Sequence, residues 1–211
     1  MENTVKLALC VVCVALLVVG GVHGARPARA ENLCYNGTFD SPEDPLAGWT
    51  YDYQWQGNSH YMQNHTRVSV EPTHRGKKNV LRINGSSETK VESKAIPFEL
   101  GARYRCTLEM IGNTQPHIYF TGYKWQPGIR PYPDPHLGDL RRIYKSTFRG
   151  HKVTGSSGGW RRVTFEFPME NLSDLAMKHL RYVRFFTVYI IVIADAPGEI
   201  YVDNVQVTRI K

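Results

Sequence analysis

Two short stretches hold most of the side chains suited to binding chemistry. In "YDYQWQ", Tyr51, Tyr53 and Trp55 share one parity, and Asp52, Gln54 and Gln56 share the other. In "YFTGYKW", Tyr119, Tyr123 and Trp125 share one parity. Residues at alternate positions of an extended chain line one face. Such a row of rings beside polar groups suits a sugar, whose flat C–H faces stack on Tyr and Trp while its hydroxyls need planar hydrogen-bonding partners. His60, Tyr61, Gln63, Arg130 and Tyr132 lie near one or other stretch. The same rings also serve to pin a loop onto a core, and residue type alone leaves both roles open for Trp55 and Trp125.

Cleavage chemistry has weaker support. Glycoside hydrolysis needs two carboxylates flanking the bond, about 5–10 Å apart. Asp52, Glu71, Glu88, Glu92, Glu109 and Glu166 are available, but no two fall in a catalytic pattern. A lyase would want a Tyr or His base beside an Arg, which Tyr119, Tyr123, His117 and Arg130 supply only as common residue types. No HExxH or phosphate-binding glycine loop is present after the first 30 residues. The expectation is a non-catalytic binder, with a lyase or hydrolase as an alternative.

Residues 1–24 read as a secretory leader: Lys6 precedes the apolar run "LALCVVCVALLVV", and small residues follow, with cleavage after Gly24 or Ala30. Such a run is short for a membrane span. The remaining chain, 31–211, is expected to be one exported domain, extracellular or periplasmic, with no membrane association after cleavage. Cys10 and Cys13 leave with the leader, and Cys34 and Cys106 remain as one disulfide or two buried thiols. The formal charge is +7, and losing Lys6, Arg26, Arg29 and Glu2 leaves +5. No dense Lys/Arg stripe accompanies that excess, so nucleic acid is not expected as a partner. The charge mildly favours an acidic polysaccharide. Sequons begin at Asn36, Asn64, Asn84 and Asn171.

The elements that must position these residues are mostly strands. "YRCTLEMIG" puts Tyr104, Cys106, Leu108 and Met110 on one face; "RRVTFEFP" does the same with Val163, Phe165 and Phe167. "VRFFTVYIIVIA" is apolar on both parities, as expected of a central strand covered on both sides, and Tyr189 within it is expected to be buried. Ser173 can cap a short helix over "DLAMKHL". The proline-rich stretch from Gln126 to Arg142 reads as a long ordered loop. Strands separated by Gly, Pro and Asn turns, with almost no helix, predict an all-β antiparallel sandwich.

Several segments resemble, in order, carbohydrate-binding modules with a galactose-binding-like jelly roll, the kind appended to cellulases and xylanases. "LCYNGTFDSPEDPLAGWT" is similar to their "NGxFE…GW" opening, and "GKKNVLRI" to the strand that follows. "AIPFELGARYRCTLEMIG", "GGWRRVTFEFP" and "PGEIYVDNVQV" are similar to later strands, so the resemblance spans Leu33 to Val207. It implies a two-sheet jelly roll with first and last strands adjacent, and core positions for Trp49 and Trp160. The chain departs from the pattern in a large insertion, "GYKWQPGIRPYPDPHLGDLRRIYKSTFRGHKVTGSSGG", where such modules have a short hairpin.

The resemblance further implies a structural Ca²⁺ shared by Asp40 and Asp203, since Ca²⁺ takes six to eight oxygen ligands. The break of parity between Val202 and Val205 suggests a bulge at Asp203. A Cys34–Cys106 disulfide follows from the same resemblance. The ligand is expected to be a polysaccharide or glycan, held by Tyr53, Trp55, Tyr119, Tyr123, Trp125 and Arg130. A secreted matrix or surface protein using the sandwich for protein contacts is the alternative.

Overall fold

The computed structural model describes residues 31–51, 67–85, 89–146, 148–149, 158–170, 172–192 and 198–211. In chain order its strands are β1 (Trp49–Tyr51), β2 (Val68–His74), β3 (Lys77–Asn84), β4 (Thr89–Ser93), β5 (Ile96–Pro97), β6 (Tyr104–Gly112), β7 (His117–Trp125), β8 (Leu140–Lys145), β9 (Phe148–Arg149), β10 (Arg161–Phe167), β11 (Phe185–Val192) and β12 (Glu199–Arg209). One sheet runs β1-β4-β11-β7-β8, with β5 also beside β11 and β9 beside β7; the other runs β10-β6-β12-β3-β2. Every pairing is antiparallel. The two sheets make the expected sandwich.

The core between them follows from alternation. Tyr104, Cys106, Leu108 and Met110 of β6 and Val163, Phe165 and Phe167 of β10 are buried. An aromatic cluster closes one end: Phe167 stacks on Phe120 with centroids 4.8 Å apart and meets Phe98 at 5.6 Å and Phe186 at 5.2 Å. β11 is central and buried on both faces beyond Phe185, as its two apolar parities require. Trp49 is 4% exposed and donates its indole N–H to the Asn36 carbonyl, so it is the core residue expected.

The closing strand carries the bulge its sequence suggested. Register shifts between Asp203 and Gln206, and Asn204 takes φ +54°. The bulge is held by the amino-terminal segment. Val205 N–H donates to the Gly37 carbonyl, and Leu33 N–H to the Val207 carbonyl. The Asn32 side chain donates to the Val205 carbonyl and accepts from the N–H groups of Val207 and Cys34. A Cβ on Gly37 would lie 1.9 Å from the Val205 carbonyl oxygen, so only glycine allows this approach. The adjacency of chain start and chain end is thus a feature of the segment from Asn32 to Gly37. The first strand itself, β1, belongs to the other sheet, because it pairs with β4.

The helix α1 (Asp174–Leu180) forms where expected, with the Ser173 hydroxyl accepting from Ala176 N–H. The inserted stretch is more than a loop. Gln126 to Asp139 is ordered by the Gln126 side chain, which donates to the Gly138 carbonyl, and by Gln126 N–H, which donates to Asp139. The chain then returns as β8, the edge strand beside β7.

Candidate functional site

The face of the seven-stranded sheet that points away from the core carries the residues singled out by parity. β7 contributes His117, Tyr119, Thr121, Tyr123 and Trp125 to it, because Ile118 and Phe120 point into the core. Cross-strand register then builds rows. Tyr119 faces Tyr189 of β11, which faces Glu92 of β4. Thr121 lies between Lys145 of β8 and Thr187 of β11, and Tyr123 between Arg142 and Phe185.

These rows divide into two groups. Around Trp125, the face is closed. Trp125 is half-buried against Tyr132 (centroids 5.1 Å apart) and Phe185 (5.4 Å), in a cluster with Tyr123, Leu137 and Leu140. Tyr123 is only 6% exposed, and its hydroxyl donates to the Glu92 carboxylate, which also accepts from the Thr187 hydroxyl at 2.6 Å. Tyr123, expected to help hold a glycan, is therefore covered instead. Together with Trp125 it fastens the inserted loop to the sheet, because Leu137 and Leu140 bring apolar surface that the rings cover. Arg130 is exposed on that loop. Tyr53 and Trp55 lie outside the described residues.

The second group centres on Tyr119, whose ring is partly exposed. Its hydroxyl lies 3.2 Å from His117 Nδ1, and its ring meets Tyr189 at 5.7 Å. The Lys145 ammonium sits 3.7 Å from the Tyr119 ring centroid and 5.3 Å from that of Tyr189, a cation–π arrangement. Next to them the Thr121 hydroxyl is buried and has no hydrogen-bond partner among the described residues. A buried hydroxyl of this kind is uncommon and costs about 1–3 kcal/mol until something pairs with it. Sequence reading missed Lys145 and Thr121. The pattern "YFTGY" did place Thr121 on the Tyr parity, but Lys145 reaches this face only through the register of β8, which shifts between Gly122 and Tyr123.

Asp40 and Asp203 do not fit a shared Ca²⁺. The Asp203 carboxylate accepts from the Lys77 ammonium at 2.6 Å and from Asn204 N–H, and Asp40 accepts from the Asn79 side chain. Lys77 also binds Glu109, the cross-strand neighbour of Asp203. An ammonium between two carboxylates already supplies the positive charge a cation would bring. Among the described residues no group of three or more His, Cys, Asp or Glu side chains stands ready to hold a metal.

Trp160, expected in the core, lies half-buried at the rim of the five-stranded sheet. It packs edge-on to His74 (6.3 Å) under the Lys77 ammonium and donates to the Arg75 carbonyl. Cys34 and Cys106 are buried free thiols. Burial pushes the Cys34 thiol up to about 12, and burial, with Cys34 close by, raises Cys106 as well.

No protein-family description matches the sequence, and no curated protein matches it. Among solved structures, the enzymatically active domain of tailspike protein 4 of bacteriophage CBA120 is similar at a TM-score of 0.50 and 12% identity; the match covers 85% of this chain and 21% of that one. A family 16 carbohydrate-binding module is similar at a TM-score of 0.49 and 13% identity, over 84% of this chain and 99% of that one. A family 61 carbohydrate-binding module in complex with β-1,4-galactotriose follows at 0.43 and 14%, over 85% and 99%. At these identities the likeness concerns the fold alone.

Proposed function

We propose that this chain is an exported, non-catalytic carbohydrate-binding protein that holds a glycan on the outer face of the seven-stranded sheet, at Tyr119. The observation that carries the reading is the partly exposed Tyr119 ring on a face of polar side chains. A sugar brings its complement, a C–H face for the ring. His117 and Lys145 flank the ring and supply further polar contacts. The sequence resemblance to sugar-binding modules points the same way, and the leader-like start supports export.

Cleavage finds little at this face. Glu92 is the one carboxylate that the seven strands contribute, and its Oε1 accepts from Tyr123 and Thr187. Paired-carboxylate hydrolysis needs two. A glycan array probed with the exported chain should give a defined set of bound sugars. Incubation with those sugars should release neither reducing ends nor ultraviolet-absorbing unsaturated products. An empty array, or product release, would contradict the reading.

Export also bears on the cysteines. Leu33 bonds to Val207, and Val207 faces Cys106 across the sheet, which brings Cys34 beside Cys106. In an oxidising compartment the two thiols are proposed to join. Thiol titration of the exported chain in denaturant should then find none free; two free thiols would show that the bond does not form.

A further inference from the structure

The charges of the two sheets are distributed unequally. The five-stranded sheet carries Glu71, Glu109, Glu166, Glu199 and Asp203, each in an ion pair with a neighbouring Lys or Arg: Lys77 with Glu109 and Asp203, Arg82 with Glu71 and Glu199, Arg105 with Glu166. Among the side chains described, the strands of the seven-stranded sheet carry Lys90, Lys124, Arg141, Arg142 and Lys145 against the single acid Glu92. Register places three of those cations on the outer face: Lys90 across from Ile191, Arg142 across from Tyr123, and Lys145 across from Thr121. Arg142 is exposed and forms no ion pair among the described residues. Glu92, on the same face, is 1% exposed, with hydroxyls donating to it, so it offers an approaching ligand little negative charge.

We infer that the glycan bound at this face is anionic, carrying carboxylate or sulfate groups that pair with Lys145 and Arg142. This rests on the proposed sugar site at Tyr119 and names its ligand class. The placement of Lys145 argues for it most directly. Its ammonium stands over the Tyr119 ring, so a ligand that reaches the ring meets a positive charge first. A neutral sugar has to displace that ammonium from a cation–π contact and brings no charge to it in return. An anionic sugar instead gives it a charge-assisted hydrogen bond, the stronger kind. The guanidinium of Arg142, three residues from Lys145 on β8, suits planar carboxylate and sulfate groups in the same way.

Affinity electrophoresis of the full exported chain tests this with three polymers: polygalacturonate, dextran sulfate and a neutral galactan. Two double variants are compared, Arg142→Gln with Lys145→Gln on the outer face, and Arg105→Gln with Arg162→Gln on the opposite sheet, which removes the same charge. The anionic polymers should bind about tenfold or more tightly than the galactan, and the outer-face pair should weaken them by about tenfold or more. The opposite-sheet pair should change binding by no more than about twofold. Roughly 0.5 M salt, where the screening length is below about 5 Å, should abolish most of the preference. Retention by one anionic polymer alone would identify the group as carboxylate or sulfate. Equal loss in both double variants would mean diffuse attraction to a basic protein and would overturn the inference. Equal or tighter binding of the galactan would overturn it too, while leaving sugar binding intact. Retention by none of the three at any salt, together with an empty glycan array, would overturn both.

Discussion

Shortening Phe167 to alanine should lower the unfolding free energy by about 4 kcal/mol. Phe167 is fully buried and touches rings from four other elements or loops: Phe120 at 4.8 Å, Phe186 at 5.2 Å, Phe98 at 5.6 Å and Tyr144 at 5.9 Å. The substitution removes a whole ring from the place where β7, β10 and β11 meet, and the neighbouring aromatics are too stiff to collapse into the space. For a domain of this size each kcal/mol moves the melting temperature by about 2–4 °C, so a fall of roughly 10 °C is expected by calorimetry. Phe167→Leu should cost much less. A loss below about 1 kcal/mol for the alanine variant would mean that this cluster is not the packed centre of the sandwich.

Lys77→Ala should cost about 2 kcal/mol, between the worth of an exposed pair and the penalty for breaking a buried one. Lys77 binds Glu109 at 2.5 Å and Asp203 at 2.6 Å, with each side chain less than a quarter exposed. Its removal leaves two carboxylates directly opposite each other across β6 and β12, where like charges repel. The pH dependence has a definite sign. The hydrogen bond from Lys77, against the opposing effect of burial, holds Glu109 below its usual range. Its contribution to stability is therefore present above the unfolded carboxylate value, about 4.3, and lost as pH falls through the lowered one. Burial alone would lower Lys77, but its bonds to Asp203 and Glu109 outweigh that and raise it. Its contribution is complete below about 10.4 and lost as pH rises through the raised value. Urea denaturation should show a constant advantage of the parent chain over Lys77→Ala near neutrality, shrinking at both extremes. An advantage independent of pH would exclude the charge network as its source.

The framework was readable from the chain because alternation reports burial directly. Tyr104 to Met110 and Val163 to Phe167 each expose one parity to the core, and both strands form as written. The bulge at Asp203 was readable too, as a break in parity. Its partner was not, because Lys77 is 126 positions away and only the pairing of β3 with β12 brings it near. The aromatic row was half readable. Parity put Tyr119, Tyr123 and Trp125 on one face, but parity does not say what covers that face. Leu137 and Leu140, from a stretch read as loop, close over Tyr123, and on the outer side of β11 Tyr189 and Ile191 are themselves buried, with Tyr119 packed against them. The doubly apolar sequence of β11 already implied such a cover. Trp160 was expected in the core by resemblance; it precedes an edge strand and packs against the core only half-buried.

The most direct test of sugar binding at the outer face of the seven-stranded sheet is calorimetric titration of the parent chain and Tyr119→Ala with the tightest-binding glycan from the array. Tyr119 is partly exposed and packs mainly against Tyr189 and Lys145, so its loss should leave the melting temperature nearly unchanged. Affinity should fall by about tenfold or more, the worth of about 1–3 kcal/mol for one stacked ring in comparable contacts. Undiminished affinity in a folded Tyr119→Ala chain would place the sugar elsewhere and contradict the assignment of this face.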